Sequence, residues 1–400
     1  MKKRLLVSGL FVLMFIIFGC TAQVSDTIQE QTPDSLQEQA SEVAREQISE
    51  VQEQKSDSFT NETVPEEVIG EEGSFEDTRC SRTFSPKFST GPYYNGPLFD
   101  AHFHVPVTFE HSTLGQNGPT GHAINSPSTR STNYRDPILG VDVTVDEILC
   151  FFDKEDVRGA IGFYIPNPLD LDESIRAAKD IKQQSSNRIN LFLMTGLLDA
   201  QSLDNIQNDN INLFKGYGEL AFYSQEMAGY TPSSNKFLQI YGVADKHNLV
   251  VMIHPGASQK SDIEKALQNN PNVNFLLHGF EIENDVTALM DKYPNVYFSL
   301  DSATMYAMQG VFINGPKEEF VSRFKSEFNT LLDRNVNKWK KEVEKRPDRF
   351  MWGTDRGPDW HFDEDVSLLL EEFARAFIGK LVPTVQEKYA YRNAERLLQG

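Results

Sequence analysis

The sequence predicts an α/β protein, and within that class a (β/α)8 TIM barrel. From about residue 91 onward, short apolar runs alternate with helical patterns eight times over. The runs are nearly continuous in apolar residues rather than alternating, which is how strands buried on both faces read. No GxGxxG follows the first run, so an open dinucleotide-binding sheet fits less well.

The eight strands are expected at Pro97–His102, Gly159–Ile165, Asn190–Leu197, Phe214–Leu220, Leu249–His254, Asn274–His278, Val296–Asp301 and Arg349–Asp355. Helical stretches such as "LDESIRAAKDIKQQ", "NKFLQIYGVADKHN", "SDIEKALQNN" and "NDVTALMDKY" separate them. Two departures from a minimal barrel are expected. Residues Val105 to Gly140, rich in Gly, Ser, Thr, Asn and Pro, form a long loop after strand one, on the face where barrels carry their chemistry. Before strand eight, "KEEFVSRFKSEFNTLLDRNVNKWKKEVEKR" predicts a helical insertion or a pair of helices. "TVQEKYAYRNAERLL" closes the chain as a helix.

The barrel is expected to occupy residues 91–400, preceded by two segments of different character. Residues 1–19 and Cys20 read "MKKRLLVSGLFVLMFIIFGC": a positive start, then an apolar run from Leu5 to Phe18 that is short for a membrane span. This resembles a bacterial lipoprotein signal, which implies lipidation of Cys20 as the new N-terminus. An uncleaved anchor or an ordinary secretory signal are the alternatives, and each exports the chain and leaves it near a membrane. Residues 20–90 predict a disordered acidic tether. Between Thr21 and Thr78 there are sixteen acids, two bases and neither Trp nor Tyr, too little apolar surface to offset the entropy of ordering. The remainder still carries nine net negative charges, which argues against nucleic-acid binding. Outside the cytoplasm Cys80 and Cys150 could pair, while Cys150 in "VDEILCFF" equally reads as a buried helix residue.

The chemistry concentrates where polar residues end apolar runs. In "LFDAHFHVP", His102 and His104 stand at i and i+2, so an extended chain points both imidazoles to one side. "FKGYGEL" ends on Glu219, "LVVMIHPG" on His254, "NFLLHGF" on His278, "VYFSLD" on Asp301 and "RFMWGTDRG" on Asp355. Singly, each histidine reads as a core residue bonded to a backbone carbonyl. Together, four of the eight histidines fall at one end of the strands, and imidazoles with carboxylates converging there suit a divalent metal.

This set resembles the amidohydrolase superfamily over roughly residues 97–400, most closely its amidohydrolase-related branch. HxH follows the first strand, His the fifth and sixth, and Asp the eighth, with "WGTDRG" and a closing "RNAERLL". The resemblance implies that His102, His104, His254 and Asp355 bind a divalent metal, and that His278 is a second-metal ligand or a contact to water or substrate. Zn2+ is expected, as one ion or as two. Glu219 in "GYGEL" matches relatives with a strand-four glutamate. Lys215, the other strand-four candidate, stands at the wrong end of its strand. Asp355 is expected to accept the water's proton and return it to the leaving group, His278 to stabilise an oxyanion, and Arg356 to meet a substrate carboxylate or a barrel-top salt bridge. His111, His122, Trp360 and His361 read as pocket or surface residues. The resulting expectation is a metal-dependent hydrolase of a small amide, lactone or ester. The alternatives are a decarboxylase on the same barrel and a catalytically inactive surface binding protein. Small-molecule substrate and membrane, through the lipid anchor, are the expected partners.

Overall fold

The computed structural model describes residues 80–81, 84–105, 133–135, 142–166, 170–195, 198–224, 227–301, 317–356 and 363–399. All of them lie in the compact unit Phe75–Gly400. The signal-like start with Cys20, nearly all of the tether, most of the loop after strand one, and His111, His122, Trp360 and His361 fall outside the described residues.

Eight parallel strands form a single sheet paired in chain order: β1 (Leu98–His104), β2 (Val157–Tyr164), β3 (Ile189–Leu193), β4 (Gly216–Ala221), β5 (Val250–His254), β6 (Phe275–Leu277), β7 (Val296–Leu300) and β8 (Phe350–Trp352). Helices follow them: α1 (Val145–Glu155), α2 (Leu171–Gln184), α3 (Ala200–Asp209), α4 (Asn235–Lys246), α5 (Lys260–Asn269), α6 (Val286–Lys292), α7 (Lys317–Lys345) and α8 (Glu364–Lys380). This is a (β/α)8 TIM barrel. A short antiparallel pair, Asn133–Arg135 with Asp142–Thr144, precedes α1. Among the described residues no helix is long and apolar enough to cross a membrane.

The near-continuous apolar runs are buried as that pattern requires: every residue of β6 and β8, and all but one of β2. Helices present an apolar stripe to this layer. α2 starts where Asp170 accepts the Glu173 amide, and it buries Ser174, Ala178 and Ile181 at helical spacing. The long helical segment expected before strand eight is α7, one continuous helix of 29 residues rather than a pair.

The seam between β8 and β1 closes the barrel through Asp100. Its carboxylate accepts the His102 amide (3.0 Å), the Thr354 amide (2.9 Å) and the Thr354 hydroxyl (2.5 Å). The Asp355 amide then donates to the His102 carbonyl (2.8 Å), and Phe103 bridges to Arg356.

The packed chain begins before residue 91. Cys80 is disulfide-bonded to Cys150 of α1, 70 residues away. The amides of Lys87, Phe88 and Ser89 all donate to the buried Glu372 carboxylate of α8. Residues 84–90, expected to belong to the tether, are held by these contacts, so the boundary expected at 91 moves towards the N-terminus.

Candidate metal centre

Each side chain of the site is delivered by the C-terminal end of a barrel strand. His102 and His104 close β1 on one side of the strand, with Phe103 buried on the other. Glu219 lies within β4 and His254 ends β5. His278 and Asp301 directly follow β6 and β7, and Asp355 stands three residues past β8. Two glycines permit the close approach. Gly279 has φ +104°, a region that favours glycine, and a Cβ there would strike the His254 ring. A Cβ at Gly353 would collide with Asp301 and Ser299.

The inner atoms converge. The Nε2 atoms of His102 and His104 each lie 3.3 Å from Asp355 Oδ1. Glu219 Oε2 is 3.9 Å from His102 Nε2 and 3.6 Å from His104 Nε2. His278 Nε2 is 3.8 Å from both Glu219 Oε1 and Asp355 Oδ2. Among the described residues two groups place donor atoms within 4.8 Å of one another, His102 with Glu219 and His278, and His102 with His104 and Asp355. His102 belongs to both. Its Nε2 is buried and makes no well-aligned hydrogen bond, although Asp355 Oδ1 faces it at 3.3 Å, and a cation shared by the two would give both a partner.

The outer nitrogens are fixed by a residue that strand-end reading noted without assigning a role. Asp301 Oδ2 lies 3.1 Å from His102 Nδ1 and 2.5 Å from His278 Nδ1, and Ser299 Oγ donates to Asp301 Oδ1 at 2.8 Å. One carboxylate thus turns two imidazoles so that both Nε2 atoms face inward, as carboxylates behind metal-ligating histidines do.

His254 is placed differently from the other histidines. Its Nδ1 is 2.7 Å from Glu219 Oε1 and its Nε2 is 3.2 Å from Glu281 Oε2. It stands beside Glu219 and outside both convergent donor groups. Glu281, three residues past His278, has no mark in the sequence that separates it from the nearby Glu283. Glu283 is buried in an ion pair with Lys338 of α7.

Glu219, Asp301 and Asp355 are opposed here by imidazoles, and the pKa shifts follow from that. Burial lowers the affinity of His102 for a proton, but Asp355, Asp301 and Glu219 outweigh it and raise its pKa to about 10. His254, also opposed by burial, is raised to about 9 by Glu219 and Glu281, and His104 is raised by Asp355 and Glu219. Burial pushes Glu219 and Asp355 upward, but the surrounding histidines win and hold both well below the usual carboxylate range. His278 goes the other way, lowered by burial and by the charges on His102 and His254. The pocket is therefore short of positive charge, and protons on histidine supply it where a cation otherwise would. The poorly satisfied Nε2 of His102, the inward carboxylates and the mixed nitrogen and oxygen donors all fit a divalent metal.

The Arg356 expectation resolves to its structural half. The guanidinium is buried, paired with Glu155 of α1 and 3.2 Å from Ser367 Oγ of α8. A side chain spent in that way cannot meet a substrate, so the substrate-contact role is corrected. Lys215 precedes β4, at the far end of the strand from Glu219.

The family model described as Amidohydrolase matches residues 176–400, a span that holds Glu219, His254, His278 and Asp355 but begins after His102 and His104. No curated protein matches the chain. Among solved structures, an amidohydrolase II is 12% identical with a TM-score of 0.48, covering 76% of this chain and 100% of its own. A 2,6-dihydroxybenzoate decarboxylase from Rhizobium is 15% identical, TM-score 0.42, over 76% and 99%. An amidohydrolase from Burkholderia multivorans with bound zinc is 14% identical, TM-score 0.47, over 76% and 99%.

Proposed function

Because this chain belongs to the amidohydrolase family, we propose that it is a metal-dependent hydrolase that directs water onto a small amide, lactone or ester. The observation that carries this reading is the placement of Asp355. It is the most exposed of the convergent set, its side chain 23% accessible, while His102, Glu219 and His278 beside it are almost wholly buried. One carboxylate thus touches both the buried donors and the mouth of the barrel.

His102, His104, Glu219, His278 and Asp355 would hold the ion, and zinc is the cation best suited to imidazole and carboxylate together. Bound there, a divalent cation supplies Lewis acidity that activates water and polarises a substrate oxygen. The residues do the rest. Asp355, ionised at neutral pH because histidines surround it, accepts a proton and returns it to the leaving group. Asp301 engages Nδ1 of His278, which leaves Nε2 as a lone-pair donor. That favours a ligand role for His278 over oxyanion stabilisation.

The setting of this activity is proposed from the signal-like start and the disulfide. A chain exported and anchored by lipid at Cys20 would meet the oxidising surroundings in which a Cys80–Cys150 bond persists.

Elemental analysis of native protein, followed by removal and restoration of zinc during screening of amides, lactones, esters and carboxylic acids, tests the reading. Hydrolysis that disappears with the metal and returns with zinc is expected. Carbon dioxide release without hydrolysis would install the decarboxylase reading instead. Protein that binds no metal after supplementation would point to an inactive binding protein.

A further inference from the structure

The carboxylate behind His254 has no part in the reaction proposed above. Resting on that metal-centre reading, we propose that Glu281 is a positioning residue: it holds the outer nitrogen of His254 so that the inner nitrogen is aimed at Glu219 and the metal centre.

The comparison with Asp301 makes the case. Asp301 engages Nδ1 of His102 and of His278, and their Nε2 atoms face inward. His254 is mounted in the opposite sense, with Nε2 outward on Glu281 and Nδ1 inward on Glu219. A ring flip would put Cδ2 and Cε1 where Nδ1 and Nε2 now stand, so something must choose between the two orientations. The rings around His254 do not choose. Tyr223 lies against it with centroids 4.2 Å apart and His278 meets it edge-on at 4.3 Å, contacts that tolerate a flipped ring. The two carboxylates at opposite ends of the imidazole are what distinguish its nitrogens.

The chain around Glu281 is shaped for this contact. Gly279, with its positive φ, turns the backbone under the His254 ring, where a side chain would not fit, and two residues later Glu281 reaches Nε2. The Glu281 side chain is 28% accessible, whereas Glu283 is buried in an ion pair that ties α7 to this loop. Packing accounts for Glu283 and leaves Glu281 to its contact with His254.

The test uses the full chain after metal removal, with Glu281→Ala and Glu281→Gln. Zinc dissociation constants come from competition with a chromophoric chelator. Glu281→Ala is expected to bind zinc about 10-fold more weakly, the low end of the usual loss for a group that orients a ligand, because it acts on Glu219 through His254. Glu281→Gln keeps an acceptor of nearly the same shape and should stay within about threefold of wild type. The metal-free melting temperature of both variants should stay within about 2 °C of wild type, as for a partly exposed side chain. Wild-type zinc affinity in Glu281→Ala would overturn the proposal. Equal losses in both variants would overturn it in favour of a bare charge effect. If wild type binds no zinc, the metal-centre reading falls, and the ring nitrogen signals of His254 in the metal-free protein decide this inference alone. A hydrogen-bonded Nε2–H in wild type that is lost in Glu281→Ala supports it, and unchanged signals refute it.

Discussion

Two regions of this barrel bury charge, and they balance it in opposite ways. Between α1 and α8, Arg356 pairs with Glu155 and Arg375 with Glu371, and Arg375 also donates to the carbonyls of Tyr94, Gly96 and Glu155. Both of these carboxylates meet a guanidinium that stays charged at any ordinary pH. At the mouth of the barrel, the ion-pair partners of Glu219, Asp301 and Asp355 among the described residues are imidazoles, whose charge depends on protons. In the first cluster each of these charges is met by a partner of fixed opposite charge. The second balances only by borrowing protons or a cation, and that shortfall marks it as the functional one.

The comparison breaks most sharply at Asp355. Replacing it with Asn removes the proton acceptor and one inward oxygen charge, the charge that favours protonated His102 and His104. Turnover with any substrate found should fall by about 10²- to 10⁴-fold, and the metal-free protein should melt earlier than wild type at neutral pH. Rates within threefold of wild type, measured at saturating zinc, would remove Asp355 from the reaction.

The complementary cut is Arg356→Ala. It strands the buried Glu155 and should cost about 3–5 kcal/mol of unfolding free energy, read by denaturant titration. Turnover per folded molecule should remain within a few fold. Unchanged stability with a large rise in KM would reinstate Arg356 as a substrate contact.

What the sequence discloses follows from the physics of each signal. Strand ends were legible because a polar residue closing "VVMI" or "NFLL" is conspicuous, and five of the convergent groups stand at such positions. Direction was not legible. Arg356 follows Asp355 immediately, yet its partner Glu155 lies 201 residues away, so only the folded chain reveals that the side chain turns outward. The inverted mounting of His254 depends on Glu281, one acid among several in "HGFEIEND". α7 was legible as helix, but its continuity follows from an absence of Gly and Pro between Lys317 and Lys345 and from an apolar stripe through Phe320, Phe324, Phe328, Leu331 and Trp339. The boundary at 91 was misplaced because composition measures what a segment can bury by itself. Residues 84–90 are ordered instead by a disulfide and a carboxylate supplied from elsewhere in the barrel.

The gentlest probe of the comparison is pH, because the charge on the imidazoles at the mouth depends on protons. In metal-free protein the folded pKa of His102 is raised from 6.5 to about 10. The stabilisation it contributes is complete below pH ~6.5 and is lost as pH rises through about 10. His254, raised to about 9, works in the same direction. So does Asp100, which burial raises to about 7 despite its Thr354 and Arg356 contacts: it favours the folded state most when protonated, and its advantage fades between pH ~4 and ~7. Glu219 and Asp355 are depressed, so their contribution is present above pH ~4.5 and lost in acid. Metal-free protein should therefore melt highest in mildly acidic solution and lose stability steadily from about pH 6.5 to 10. With zinc bound the imidazoles are already deprotonated and the alkaline loss should shrink. Melting curves with chelator and with zinc, taken from pH 5 to 10, decide the matter. Superimposable profiles would mean that the histidines and carboxylates at the mouth are not waiting for a cation at all.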